Sequence, residues 1–207
     1  MFFIQKTMTM KTMNAILATI TIGASALLST VEAYSGDGME ITPMTSEKKA
    51  RVELKSPKSI DVSIFVTSDE GKVVHEETLQ SQKSYGRVYD FSYLKDGKYT
   101  IISDDEFIRT TTEVKVHWTD IEVLSNEVEY KPIFSTKGSS VMVNYLNINS
   151  EDIKFSIEGE QGVLYESAEG SDISFQKKMG ISKMHPGDYS ANVEVGSKTY
   201  SYYFYVR

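Results

Sequence analysis

The groups in this chain that could do chemistry are 29 carboxylates, three histidines, 13 tyrosines, nine phenylalanines and one tryptophan. Cysteine is absent. That removes disulfides, thiolate nucleophiles, sulfur-ligated zinc and lipid attachment at a cysteine together. Three chemistries remain: acid catalysis by paired carboxylates, metal binding by acids or imidazoles, and contact of an aromatic ring with a sugar or a protein.

Glycoside hydrolysis needs two acids facing each other across a cleft. The available groups are Asp69-Glu70, Asp104-Asp105-Glu106, and Glu158 with Glu160. All three fall at expected hairpin tips, where acids serve as turn formers and no walls exist to shift a pKa. A hydrolase built on Asp104 or Glu158 would need a facing partner that the spacing does not supply. Calcium suits acidic turns, but the spaced Asp-x-Asp-x-Asp-Gly ladder is missing. His75, His117 and His185 lie far apart, without the spacing of a metal pair. Gly-x-Ser-x-Gly does not occur, and Gly159-Glu160-Gln161-Gly162 carries an acid where a phosphate would sit. The expectation is a non-enzyme with no catalytic residues, no cofactor and no metal.

Aromatic contact is the chemistry that survives. From Lys198 to Arg207 the chain reads Lys-Thr-Tyr-Ser-Tyr-Tyr-Phe-Tyr-Val-Arg, so rings occupy both faces of a strand. Tyr200, Tyr202, Phe204 and Val206 share one face, which must line a core. Tyr203 and Tyr205 share the other and form a candidate binding surface for a protein partner or a glycan. The alternative is that the aliphatic stems of Lys177, Lys178 or Lys183 cover them. Trp118 is the third candidate, either as a platform for a sugar or, the expected role, as a plug between two bodies. Nucleic acid is excluded as a partner: 22 Lys plus Arg against 29 Asp plus Glu give a net charge of -7 and leave no basic stripe.

The elements that must position these rings read as strands. Residues 1–33 carry the marks of a secretory signal peptide: Lys6 and Lys11, an apolar run from Ala15 to Leu28, and small residues around Ala33. Met10-Lys11-Thr12-Met13 is a more typical signal start than Met1. No later segment is apolar enough to span a bilayer as a helix. The localisation expected is secreted, periplasmic or cell surface. Beyond residue 33 the chain alternates with period two almost throughout. Examples are Val62–Val66 and Lys72–His75 around a Gly71 turn, Tyr99–Ile102 and Phe107–Val116 around an acidic turn, and Ser140–Tyr145, Ile153–Ile157, Gly162–Tyr165, Asp188–Val195 and Lys198–Arg207. No helical periodicity of useful length competes. The fold class is all-β, of Ig-like antiparallel sandwich type.

An internal repeat sets the domain count. Val62–Val66 aligns with Ile153–Ile157 and Gly71 with Gly162, 91 residues on. Phe91-x-x-Leu94-x-x-Gly97-x-Tyr99 aligns with Ile181-x-x-Met184-x-x-Gly187-x-Tyr189, 90 residues on. The expected organisation is a flexible leader over 34–48, a first β-sandwich over 49–117, a linker over 118–121 containing Trp118, and a second β-sandwich over 122–207.

The stretch from Val62 to Val116 resembles the small Ig-like β-sandwich domains of secreted Bacteroidetes proteins, in particular the C-terminal sorting domains of the type IX secretion system. Ile153 to Val206 resembles the same pattern more loosely, with Met184 and His185-Pro186 in the loop, and ends in an aromatic strand where the sorting pattern has a short basic one. The resemblance implies an envelope or surface location and no reaction. An exported surface or periplasmic protein-interaction module is the function expected; a carbohydrate-binding accessory module using exposed aromatics is the alternative.

Overall fold

A computed structural model describes residues 38 to 207, which form thirteen strands in antiparallel sheets and no helix. The expected signal segment lies outside the described residues.

The first sandwich comprises β1 (Met39–Pro43), β2 (Lys49–Ser68), β3 (Val73–Asp90), β4 (Gly97–Asp104), β5 (Ile108–Val116) and β6 (Ile121–Tyr130). Along β2 every second residue is buried on both sides of a bend: Ala50, Val52 and Leu54, then Ile60, Val62, Ile64 and Val66. The first half of β2 pairs with β1 and the end of β3; its second half pairs with the start of β3 and with β4. The exchange falls at register breaks between Lys55 and Val62. There Ser81 takes a left-handed φ of 51° and donates its N–H to Asp61 Oδ1 at 2.8 Å. One strand pair thus turns the corner of the sandwich and serves both layers around a single core.

In the second sandwich each of those long strands is split. Its strands are β7 (Ile133–Lys137), β8 (Ser140–Leu146), β9 (Ile153–Gly159), β10 (Gly162–Gly170), β11 (Ser174–Gly180), β12 (Gly187–Val195) and β13 (Lys198–Val206). One sheet runs β11-β8-β7 and the other β10-β9-β12-β13. Their inner faces enclose a second core centred on Phe155, Ile157, Val193 and Phe204. The halves of β2 correspond to β8 and β9, the halves of β3 to β10 and β11, and β5 to β13 with an offset of 90 residues at both ends. The protein is therefore a tandem of two Ig-like β-sandwiches.

The repeated sequence motif is a tyrosine corner made twice. Tyr99 Oη donates to the Lys95 carbonyl at 3.0 Å, and Tyr189 Oη to the His185 carbonyl at 2.8 Å. In each loop the second apolar anchor donates its N–H to the carbonyl of the first, Leu94 to Phe91 at 2.9 Å and Met184 to Ile181 at 3.1 Å. Each apolar anchor pair drops into its own core, and the tyrosine ties the loop to the strand that follows.

Two expected boundaries move. Residues 34–48, read as a flexible leader, contain β1: Met39 is buried and donates its N–H to the buried Thr110 Oγ1 at 3.2 Å. Alternation over five residues is too short a signal to stand out, and the strand is made by its docking. Residues 118–121, read as a linker, belong to the β5–β6 hairpin, whose turn is closed by the His117 N–H on the Asp120 carbonyl at 2.9 Å. β6 then pairs with β5 from Ile121 to Tyr130, and the chain passes to the second sandwich through Lys131-Pro132.

Candidate binding surface

β13 leaves β12 by a hairpin in which Val195 faces Lys198 across Gly196-Ser197, and Gly196 adopts φ +56. Counting outward from that turn places Tyr203 opposite Ser190 and Tyr205 opposite Asp188. Ser190 is in turn opposite Glu158 on β9. On the inner face Phe204 and Val206 are buried, and Tyr202 stacks on Phe134 with centroids 5.6 Å apart. On the outer face Tyr203 is 80% exposed and Tyr205 58%. Small side chains beside them leave an open groove of about 350 Å³, lined by Glu158, Asp188, Ser190 and Tyr203. A flat ring flanked by carboxylates can stack on an apolar surface while accepting hydrogen bonds from hydroxyl or amide donors.

The alternative of a lysine cover does not hold, since both rings are exposed. Lys177 and Lys178 belong to β11 in the opposite sheet, and Lys177 Nζ lies 3.1 Å from Tyr165 Oη and pairs with Glu169. Trp118 is not a plug either. At the tip of the β5–β6 turn it is 83% exposed, with Lys48 Nζ 5.8 Å from its ring. A hairpin tip has no second body to seal. Trp118 lies in the first sandwich and the two tyrosines in the second, so the structure does not bring the three candidates into one site.

Asp104 and Asp105 are used structurally. Asp104 lies 2.7 Å from Lys131 Nζ and 3.9 Å from Arg109. Asp105 Oδ1 accepts the N–H groups of Phe107 at 2.6 Å and Ile108 at 2.8 Å, closing the β4–β5 turn. Burial raises the Asp105 carboxyl above its ordinary range despite those bonds. His117 Nε2 lies 3.4 Å from Glu122, and His75 packs edge-on against Tyr89 at 5.3 Å. Among the described residues no three His, Asp or Glu side chains converge on a point that could hold a metal ion.

Two features of the surface escaped the sequence reading. Asp188 and Ser190 join the tyrosines through register alone, and counting back from the Gly196-Ser197 turn would have found them. The second feature is a salt-bridged seam repeated in both sandwiches. Arg87 Nη1 meets Glu77 Oε1 at 2.8 Å in the first, and Lys177, 90 residues later, meets Glu169 in the second.

No family model matches the chain, and no curated protein matches it. Among solved structures it is similar to a "Biofilm associated protein - BSP domain", at 15% identity over 82% of this chain and 29% of that one, with a TM-score of 0.26. It is also similar to the chicken CNTN1 FN1–FN3 domains, at 11% identity over 78% and 61% of the two chains, with a TM-score of 0.28. A third similarity is to the Group B Streptococcus pullulanase SAP, at 7% identity over 79% and 23%, with a TM-score of 0.22. The chain spans less than two thirds of the length of each. The Ig-like assignment rests on the strand order and register described above. Among the described residues no helix is long and apolar enough to cross a membrane.

Proposed function

We propose that this is an exported, non-enzymatic binding protein that presents the outer face of β13 to a protein partner at the cell surface or in the periplasm. The observation that carries this reading is the pair Tyr203 and Tyr205, adjacent on one face, 80% and 58% exposed, and backed by small residues. Exposed rings of this kind are common anchors in interfaces, where one tyrosine supplies large contact area at little conformational cost. The signal-like N-terminal sequence supports export. The resemblance to secreted Bacteroidetes domains supports an envelope location, and no sorting role is assigned to the second sandwich.

A second reading is favoured by the groove itself. Glu158 and Asp188 flank Tyr203, and ring plus carboxylate is the chemistry that holds a sugar. The test is a glycan array on the purified protein and on a Tyr203→Ala, Tyr205→Ala double variant with unchanged thermal unfolding, followed by capture from envelope extracts with the same pair. Capture of a specific protein by the native form, weakened at least about tenfold in the variant, supports the partner reading. Glycan binding lost in the variant replaces it with the carbohydrate module. Binding that survives in the variant moves the site off β13.

A further inference from the structure

Sheet edges invite unwanted pairing, and proteins guard them with short strands, charges, prolines or bulges. Here β1 and β7 are five residues long. β6 carries Glu122, Glu127 and Glu129, β11 carries Lys177 and Lys178, β3 is charged along its length, and β10 has two register breaks. β13 is different. From Thr199 to Val206 it has no charge, proline or glycine, and its nine pairs with β12 run without a break.

The first sandwich shows what this fold does with the same edge. β5, the counterpart of β13, has its far side filled by β6, with Glu129 opposite Arg109 and Glu122 opposite Lys115. Ninety residues later those basic positions are Thr199 and Tyr205. Glu129 of β6 reaches Lys198 at the very start of β13, but an acidic strand paired along β13 as β6 is along β5 would face Thr199 and Tyr205 where β5 offers Arg109 and Lys115. A strand that offers small hydroxyls against tyrosines would fit, and β13 itself reads that way in both directions.

We propose that β13 pairs antiparallel with β13 of a second copy about a dyad at Tyr202, joining two four-stranded sheets into one. That register sets Ser201 against Tyr203 of the second copy, Thr199 against Tyr205, and Tyr202 against itself, with no like charges opposed between residues 199 and 206. Backbone geometry agrees. In a two-residue hairpin the closing pair, Val195 and Lys198, exchanges its hydrogen bonds, so every second residue of β13 from Lys198 points its N–H and C=O at β12. Thr199, Ser201, Tyr203 and Tyr205 point theirs at the open edge, and the dyad brings these four into mutual register. The pairing is made through the backbone edge of β13, with the Tyr203 and Tyr205 side chains facing Ser201 and Thr199 of the second copy, whereas partner binding uses the exposed faces of the same rings.

Sedimentation velocity tests it on the native protein and on Ser201→Pro, which removes an outward N–H without touching a bond to β12. A dimer in the native protein that is lost in Ser201→Pro, with thermal unfolding unchanged, is the expected result. Because the chain has no cysteine, register can be trapped: Ser201→Cys mixed with Tyr203→Cys should give a mixed disulfide dimer, and either variant alone should not. This arm decides the matter if Ser201→Pro folds poorly. A native protein that stays monomeric as concentration rises, or a dimer with no mixed disulfide, overturns the proposal.

Discussion

Tyr99 and Tyr189 do the same work in the two sandwiches; the repeat marked both positions in the sequence, and the structure adds the bond that each hydroxyl makes to its own loop. Gly-x-Tyr after two anchors three residues apart has few other uses, because the ring must reach back over its own loop to find a carbonyl. Tyr99 is 8% exposed, so its hydrogen bond is shielded from water. Tyr99→Phe is expected to cost about 0.5–1.5 kcal/mol, a fall in thermal midpoint of about 2–4 °C per kcal/mol for a chain of this size. Tyr189→Phe should cost less, since the carbonyl it reaches is exposed; thermal unfolding of both variants checks the order. Trp118 shows the limit of reading one residue. Its size pointed to burial, but burial depends on whether a second body faces the position, and that is set by the pairing of β6 with β5.

Elements were legible where alternation and β-branching coincided with a core, as in β2, β4, β5, β9 and β12. They were hidden where the strand is polar on both sides or short. β11, with Lys177 and Lys178, and β6, with its glutamates, are strands because their neighbours offer an open ladder, and no local pattern announces that. The bends of β2 and β3 were hidden for a related reason: a corner keeps the inward parity of the strand, so no break in alternation marks it. One turn position can be tested directly. Gly159 ends β9 at the β9–β10 turn, and a Cβ there would lie 2.9 Å from Cε1 and 3.0 Å from Cδ1 of Tyr189. Gly159→Ala must push that ring off its loop, at a cost of about 1–3 kcal/mol. Chemical denaturation should show the loss, and a Gly162→Ala comparison separates the effects, since Gly162 has open space but φ +100.

At the scale of the whole molecule, three glutamates hold the parts together. Glu77 and Glu169 close the seams of the first and second sandwiches, and Glu129 of β6 accepts Lys198 Nζ at 2.5 Å and the Tyr200 hydroxyl, both from β13. Burial pushes each of these carboxyls up. For Glu129, hydrogen bonds from Lys198 and Tyr200 and the charge of Lys198 outweigh it and hold the group below its ordinary value of 4.5. Glu77 is held down likewise by Tyr85, Tyr89 and Arg87, and Glu169 by Lys177 and Ser167. A carboxyl whose folded pKa is depressed contributes stability that is present above its unfolded value and lost as pH falls through the folded one. Asp105, raised by burial, works in the opposite sense over its own window, while Asp90, held low by hydrogen bonds from Ser92, acts in the same sense as the glutamates. Thermal midpoints of the native protein and Glu129→Gln across pH should show the variant less stable at neutral pH. The gap should narrow as pH falls below 4.5 and through the depressed folded value, where the native carboxylate also takes up its proton. A gap that stays constant across that fall would mean that Glu129 acts as a neutral hydrogen-bond acceptor and that the β6–β13 contact does not depend on its charge.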